Sequence, residues 1–131
     1  MEQKLDINQI TNDIIGAAIE VHRTVGPGLL ESLYKECLCR EFYIRGVAFE
    51  LEKPMRLQYK GAWLETGYRL DLLVADAVVV EVKSVDAIHP VHEAQLMSYM
   101  KLGGWKVGLL LNFNVRVLKD GIRRKIIGKI D

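Results

Sequence analysis

At 131 residues, half of them hydrophobic and 27% charged, the chain has the size and balance of one globular domain, too short for two separate cores. A formal net charge of +1 excludes a globally basic or acidic molecule, so any phosphate-binding surface must be local. No apolar run is long enough to cross a bilayer and Met1-Glu2-Gln3-Lys4 carries no signal-peptide pattern, so the cytoplasm is the expected compartment.

Asp6 with Gln9 three residues on forms a capping-box pattern, and Ile7, Ile10, Ile14, Ala18, Val21 and Val25 continue at helical spacing to Gly26-Pro27-Gly28. His22 falls inside that apolar arc, where a hydrogen-bonded core histidine is favoured over a ligand. A second helix is expected over 29–45, with Leu30, Leu33, Tyr34, Cys37, Leu38 and Phe42 on its buried face. Glu31 also falls within this arc, near a helix N-terminus that favours a carboxylate; Glu41 does so too, so position alone does not single out Glu31. Cys37 and Cys39 point in different directions on a helix and read as reduced packing residues, and no zinc-type Cys/His spacing occurs.

After Gly46 the period changes to that of strands, 47–52 and 55–59, interrupted by Pro54. Lys60-Gly61 turns the chain into a longer strand, 63–74, along which Tyr68, Leu70, Leu72 and Val74 alternate with Arg69, Asp71 and Leu73. A turn at Ala75-Asp76 leads into a valine-rich strand over 77–85, apolar enough to be central. Val78, Val80 and Val82 share one of its faces; Val79, Glu81 and Lys83 share the other. Two charges on a face that ought to be buried are either a structural ion pair or a catalytic E-x-K, and this stretch by itself supports both equally. A turn centred on Asp76 sets Asp71 opposite Glu81, and two like charges in that position suggest a shared cation. A slip of one residue separates them.

His89-Pro90 opens a third helix that Gly103-Gly104 ends, with Gln95 and Tyr99 one turn apart on the same face. Lys106 to Phe113 reads as a buried strand, and 115–118 with 122–127 as a closing hairpin around Asp120-Gly121. Lys119, Arg123, Arg124 and Lys125 read as a solvated strand edge in preference to a phosphate site.

The order of these features, Glu31 on a helix, Asp71 at a strand end, Glu81-Val82-Lys83 after a short hairpin and Gln95 on the next helix, resembles the PD-(D/E)XK nuclease superfamily. Gln95-Leu96-Met97-Ser98-Tyr99 resembles the Q-x-x-x-Y motif of its exonuclease-type branch, and Gly28-Leu29-Leu30-Glu31-Ser32-Leu33-Tyr34 the signature of the GxxExxY proteins. Val21-His22, Gly26-Pro27-Gly28, Ala94-Gln95-Leu96 and Asn112-Phe113 fit that subfamily as well. Leu70 stands where the superfamily pattern has proline, a departure that removes no chemical group.

The resemblance implies one domain over residues 1–131, a three-layer α/β/α sandwich with a central mixed β-sheet. It implies a Mg²⁺-dependent nuclease, with Mn²⁺ able to substitute and DNA the expected substrate. Glu31, Asp71 and Glu81 would ligate the metal together with the Val82 carbonyl. Lys83 would stabilise the phosphate or orient the nucleophile, Gln95 would position water or nucleic acid, and Tyr99, Tyr34 and His22 would lend support. The rival reading is a silent nucleic-acid- or protein-binding module on the same fold, and a third is a structural role in a homo-oligomer.

Overall fold

A computed structural model describes residues 6–129, so the pattern read at Met1–Lys4 lies outside the described residues. Its elements follow in the order α1 (Ile7–Val25), α2 (Glu31–Arg45), β1 (Phe49–Tyr59), β2 (Ala62–Val74), β3 (Val78–Lys83), α3 (Pro90–Gly103), β4 (Val107–Asn112) and β5 (Ile122–Ile126), with a 3₁₀ turn at Leu118–Gly121 before β5. The strands lie in sequence order; β3 and β4 run parallel across the α3 connection and every other neighbour is antiparallel. Helices α1 and α2 bury Ile14, Ala18, Leu38 and Phe42 against Leu72, Val78, Val80, Val82 and Leu109 on one face of the sheet. On the other face α3 buries Leu96 and Met100 against Leu73, Val79 and Leu110. The result is the three-layer α/β/α sandwich with a mixed sheet, and β3 and β4 are the covered strands that their apolar runs demand. Among the described residues no helix is long and apolar enough to cross a membrane.

Local chemistry sets the boundaries. Asp6 caps α1 by accepting from the Gln9 backbone N–H at 3.1 Å, but the Gln9 side chain turns to Asp13 at 2.9 Å, so only half of the capping box forms. Helix α2 starts two residues later than the spacing indicates, because Gly28 is left-handed (φ 91°) and Leu30 extended. Leu30 is accordingly 76% exposed rather than buried. Pro54 does not split β1: it lies on an edge strand, where a missing N–H is tolerated, and the register shifts between Pro54 and Arg56 instead.

The closing hairpin is not formed. Residues 113–117 are irregular, and β5 pairs antiparallel with β4, whose edge would otherwise lie open. Gly121 permits this return: a Cβ there would lie 2.1 Å from the Asn112 carbonyl oxygen. The basic cluster is largely spent on structure, with Arg124 donating to Asn8 at 2.8 Å and Lys125 paired with Glu93 of α3 at 3.0 Å.

Candidate active site where the sheet opens

Strands β2 and β3 leave the turn at Ala75-Asp76, both left-handed at φ 53°, and pair regularly as Val74↔Val78, Leu73↔Val79 and Leu72↔Val80. The next step brings Asp71 to Glu81, the juxtaposition that a turn centred on Asp76 requires. Backbone donors there turn to carboxylates instead of carbonyls. The Asp71 N–H donates to Glu81 Oε1 at 3.4 Å, and the Val82 N–H donates to Asp71 Oδ2 at 2.8 Å. On the other side of β2, Glu52 has a left-handed backbone (φ 54°) and falls between the pairs Leu51↔Leu72 and Lys53↔Leu70. The strict alternation read along β2 fails at this irregularity. Leu70 joins Leu73 in the α3-side core, with Tyr68 packed against it, while Leu72 and Val74 face α1 and α2.

Glu81 is only 4% exposed. Burial, and then the neighbouring Asp71 carboxylate, pushes its pKa up to about 8, against some relief from the Tyr68 hydroxyl and the Asp71 backbone. Without an added cation the pair therefore tends to retain one proton near neutrality. Tyr68 is in turn held in its neutral form, by burial and by the Glu81 charge. Its ring stacks on Tyr99 of α3, centroids 3.9 Å apart and planes 12° from parallel. Tyr99 thus reaches the acids through Tyr68, and Gln95 lies exposed one turn before it on α3.

The cation nearest the acids is Lys35, which sequence reasoning missed. From α2 its Nζ lies 3.3 Å from Asp71 Oδ1 and 3.4 Å from Glu52 Oε1. Burial disfavours the Lys35 charge, but these two carboxylates outweigh it and raise its pKa. One signal was available: Lys35 stands four residues after Glu31, on the same helical face. Lys83, by contrast, closes β3 half-buried opposite Asn112, and among the described residues it makes no ion pair. The structural Glu–Lys pair considered from the sequence is absent.

Glu31 does not join Asp71 and Glu81 in one cluster. Its Oε1 accepts the Ser84 N–H at 3.2 Å, while the Ser84 hydroxyl donates to the Leu29 carbonyl at 2.7 Å, so the helix start is tied to the chain just beyond β3. Among the described residues no group of three His, Cys, Asp or Glu side chains is placed to hold a metal ion. The expected three-acid convergence is thus reduced to the Asp71–Glu81 pair. That pair still suits a hard divalent cation by donor chemistry, since among the described residues Lys35 pairs with Asp71 but no cation pairs with Glu81, which holds a proton against bulk pH.

Tyr34 and His22 serve the frame. The Tyr34 hydroxyl donates to the Gly26 carbonyl at 2.6 Å and accepts the Leu29 N–H at 3.1 Å, and its ring stacks on Phe113 at 4.7 Å. His22 Nε2 lies 2.7 Å from the Val115 carbonyl oxygen, the hydrogen-bonded core histidine that its position on α1 favours. Asn112 was also missed as a support: it accepts the Val85 N–H at 3.1 Å and donates to the Val85 carbonyl at 3.0 Å, tying the end of β4 to the chain that leaves Lys83.

No curated protein and no solved structure matches the chain. The sequence model of the PD-(D/E)XK nuclease superfamily matches residues 8–125, from the first turn of α1 into β5. Since that match takes in both acids, Lys83 and all three layers of the fold, the chain belongs to the PD-(D/E)XK nuclease superfamily.

Proposed function

We propose that this chain is a divalent-cation-dependent nuclease that hydrolyses phosphodiester bonds of DNA with Mg²⁺, or Mn²⁺ in its place. Members of the superfamily are usually nucleases and generally use divalent metals. The observation that carries the reading is the buried Asp71–Glu81 pair at the opening of the β2–β3 ladder. A binding module gains nothing from two acids whose burial makes one of them retain a proton. The Gly28–Tyr34 motif supports membership of the GxxExxY group.

In this reading Asp71 and Glu81 would hold the cation, with the Val82 carbonyl as a further oxygen ligand. Glu31, fixed on Ser84, acts at the margin as an outer acid. The bound cation supplies neutralisation of phosphate charge and a more acidic water. Glu81 would have to be ionised to serve as a ligand. Tyr68 stays neutral and orients the Glu81 carboxylate, with Tyr99 stacked behind it. Lys83, without a carboxylate partner among the described residues, meets the charge that develops on the phosphate and nucleophile. Gln95 positions water or the nucleic acid.

The test is a cleavage panel of single- and double-stranded DNA and RNA with Mg²⁺, Mn²⁺ or EDTA. Cleavage that requires the cation and disappears in Glu81→Gln supports the assignment. A folded wild type that cuts nothing across the panel yet binds nucleic acid would move the chain to the binding-module class.

A further inference from the structure

The outer half of the β1–β2 hairpin leaves the body of the sheet. Because β2 pairs with β3 only at Leu72, Leu73 and Val74, the pairs from Arg56↔Glu65 to Tyr59↔Ala62 form a two-stranded ribbon with no third strand. Such a ribbon is marginal in water by itself, so apolar side chains on it call for an explanation. Trp63 is 60% exposed and Tyr59 55%, with Leu57 and Leu64 also open to solvent. Each exposed ring has a cation beside it: the Arg56 guanidinium lies 5.0 Å from the Trp63 centroid and the Lys60 ammonium 5.4 Å from that of Tyr59. Glu65 is the only acid from Arg56 to Glu65, against the two cations Arg56 and Lys60. From this tip β2 leads through the left-handed Gly67 and a register shift to the acids, with at most roughly 26 Å of strand between Trp63 and Asp71 at about 3.3 Å per residue.

We infer that the ribbon grips single-stranded nucleic acid and leads it to the Asp71–Glu81 site. Trp63 with Arg56 lies on one face of the ribbon and Tyr59, next to the turn, on the other, so the strand crosses the tip: each ring stacks on a base while Arg56 and Lys60 meet the flanking phosphates. Rings accept any base by its π-face and cations follow the backbone, so the contact is sequence-tolerant. A second copy of the chain is the poorer occupant, since a two-fold contact would bring the same positive tip onto itself. The inference rests on the nuclease reading for the fate of the strand, but not for its binding.

Binding is measured in EDTA, where no cleavage intervenes, by fluorescence anisotropy with an oligothymidylate of about 20 nucleotides and with a duplex of similar length. Trp63→Ala and Tyr59→Ala should each weaken oligothymidylate binding on the order of tenfold. Arg56→Ala should lower the slope of log affinity against log salt by about 0.7. In a Trp105→Phe background the oligothymidylate should also quench Trp63 emission, a readout that does not depend on an alanine variant folding.

Unchanged affinity in Trp63→Ala with no quenching overturns the inference, even if Mg²⁺-dependent cleavage is found. Tighter binding of the duplex through the same residues overturns the choice of a single strand. Loss of self-association in Trp63→Ala, seen by sedimentation with oligothymidylate binding intact, overturns it in favour of a second copy. Ribbon-dependent binding by a protein that cuts nothing with Mg²⁺ supports the ribbon and removes the nuclease reading instead.

Discussion

At the turn end of β2 and β3, three apolar pairs hydrogen-bond backbone to backbone and bury their side chains on both faces of the sheet. One step beyond Leu72↔Val80, Asp71 and Glu81 take over the backbone donors with their carboxylates, and the regular ladder stops. The two ends belong to the same strands but lie on opposite sides of the energy balance. Burying Leu72, Leu73, Val78, Val79 and Val80 favours the fold by about 1.5–3 kcal/mol for each side chain. Burying Glu81 beside Asp71 opposes it at any pH that removes the proton. The apolar end holds the strands together firmly enough to force two acids into one another's company, and that constraint is what the proposed cation site rests on.

The sharpest way to break this comparison is at Lys83, beside the acids but paired with neither. Lys83→Ala should lower the cleavage rate on the order of 10²–10³ while leaving cation and nucleic-acid binding nearly intact. Because Lys83 makes no ion pair among the described residues, its removal strips no partner from Glu81, and the variant should fold like wild type. Single-turnover rates and equilibrium binding on the same preparation check both halves. An Ala variant that still cleaves at the wild-type rate removes Lys83 from the chemistry.

The opposite end gives the opposite signature. Leu72→Ala should cost about 2–5 kcal/mol of unfolding free energy in urea, since Leu72 is fully buried between α1, α2 and the sheet. Its melting temperature should fall, yet the increment added by Mg²⁺ should persist. If that increment vanished as well, the two ends would not be separable.

The features that could be read from the sequence are those fixed by neighbours in the chain. The turn at Ala75-Asp76 sets the register that brings Asp71 to Glu81, and five valines announce a covered strand. Gly26 and Gly103-Gly104 mark helix ends, and their side-chain-free backbone can take the necessary conformations. What could not be read depends on partners distant in sequence. Lys35 looks like an ordinary surface lysine until α2 is laid over Asp71 and Glu52. The side that Leu70 faces depends on a left-handed Glu52 in the neighbouring strand. Glu31 was placed by helical angle, yet Ser84, fifty-three residues away, decides where its carboxylate points. Proximity in sequence pairs 122–127 with 115–118, but the open edge of β4 is the better partner.

The acid end also has a pH signature of known sign. In the folded protein Glu81 keeps its proton to about pH 8, against an ordinary value of 4.5. Between those values the folded state binds more protons than the unfolded one, so the Glu81 contribution makes stability fall as pH rises, levelling off above about 8. Mg²⁺ should act in the reverse sense. Its binding expels the proton, so the rise in melting temperature it produces should grow through the same window. At a concentration about a hundredfold above the dissociation constant the rise corresponds to about 2.7 kcal/mol. Melting curves with and without Mg²⁺ across that range check the sign, and Asp71→Asn should remove most of the effect. An equal rise in the Asn variant would place the cation elsewhere.

The smallest effect falls on Lys35, and it separates two ways of satisfying Asp71. The Lys35 ammonium stands 3.3 Å from Asp71 Oδ1 and supplies part of the countercharge that the acids need. A divalent ion bound at the same carboxylate must tolerate that ammonium or displace it, and either way the lysine competes with it. Lys35→Met keeps the length and the apolar stem but removes the charge. Because the pair is partly exposed and screened, the change is worth only about 0.5–1 kcal/mol. Mg²⁺ should therefore bind the Met variant about two- to fivefold more tightly in a calorimetric titration, while the cation-free protein becomes slightly less stable. Weaker Mg²⁺ binding in Lys35→Met would mean that Lys35 holds Asp71 in position for the ion instead of competing with it.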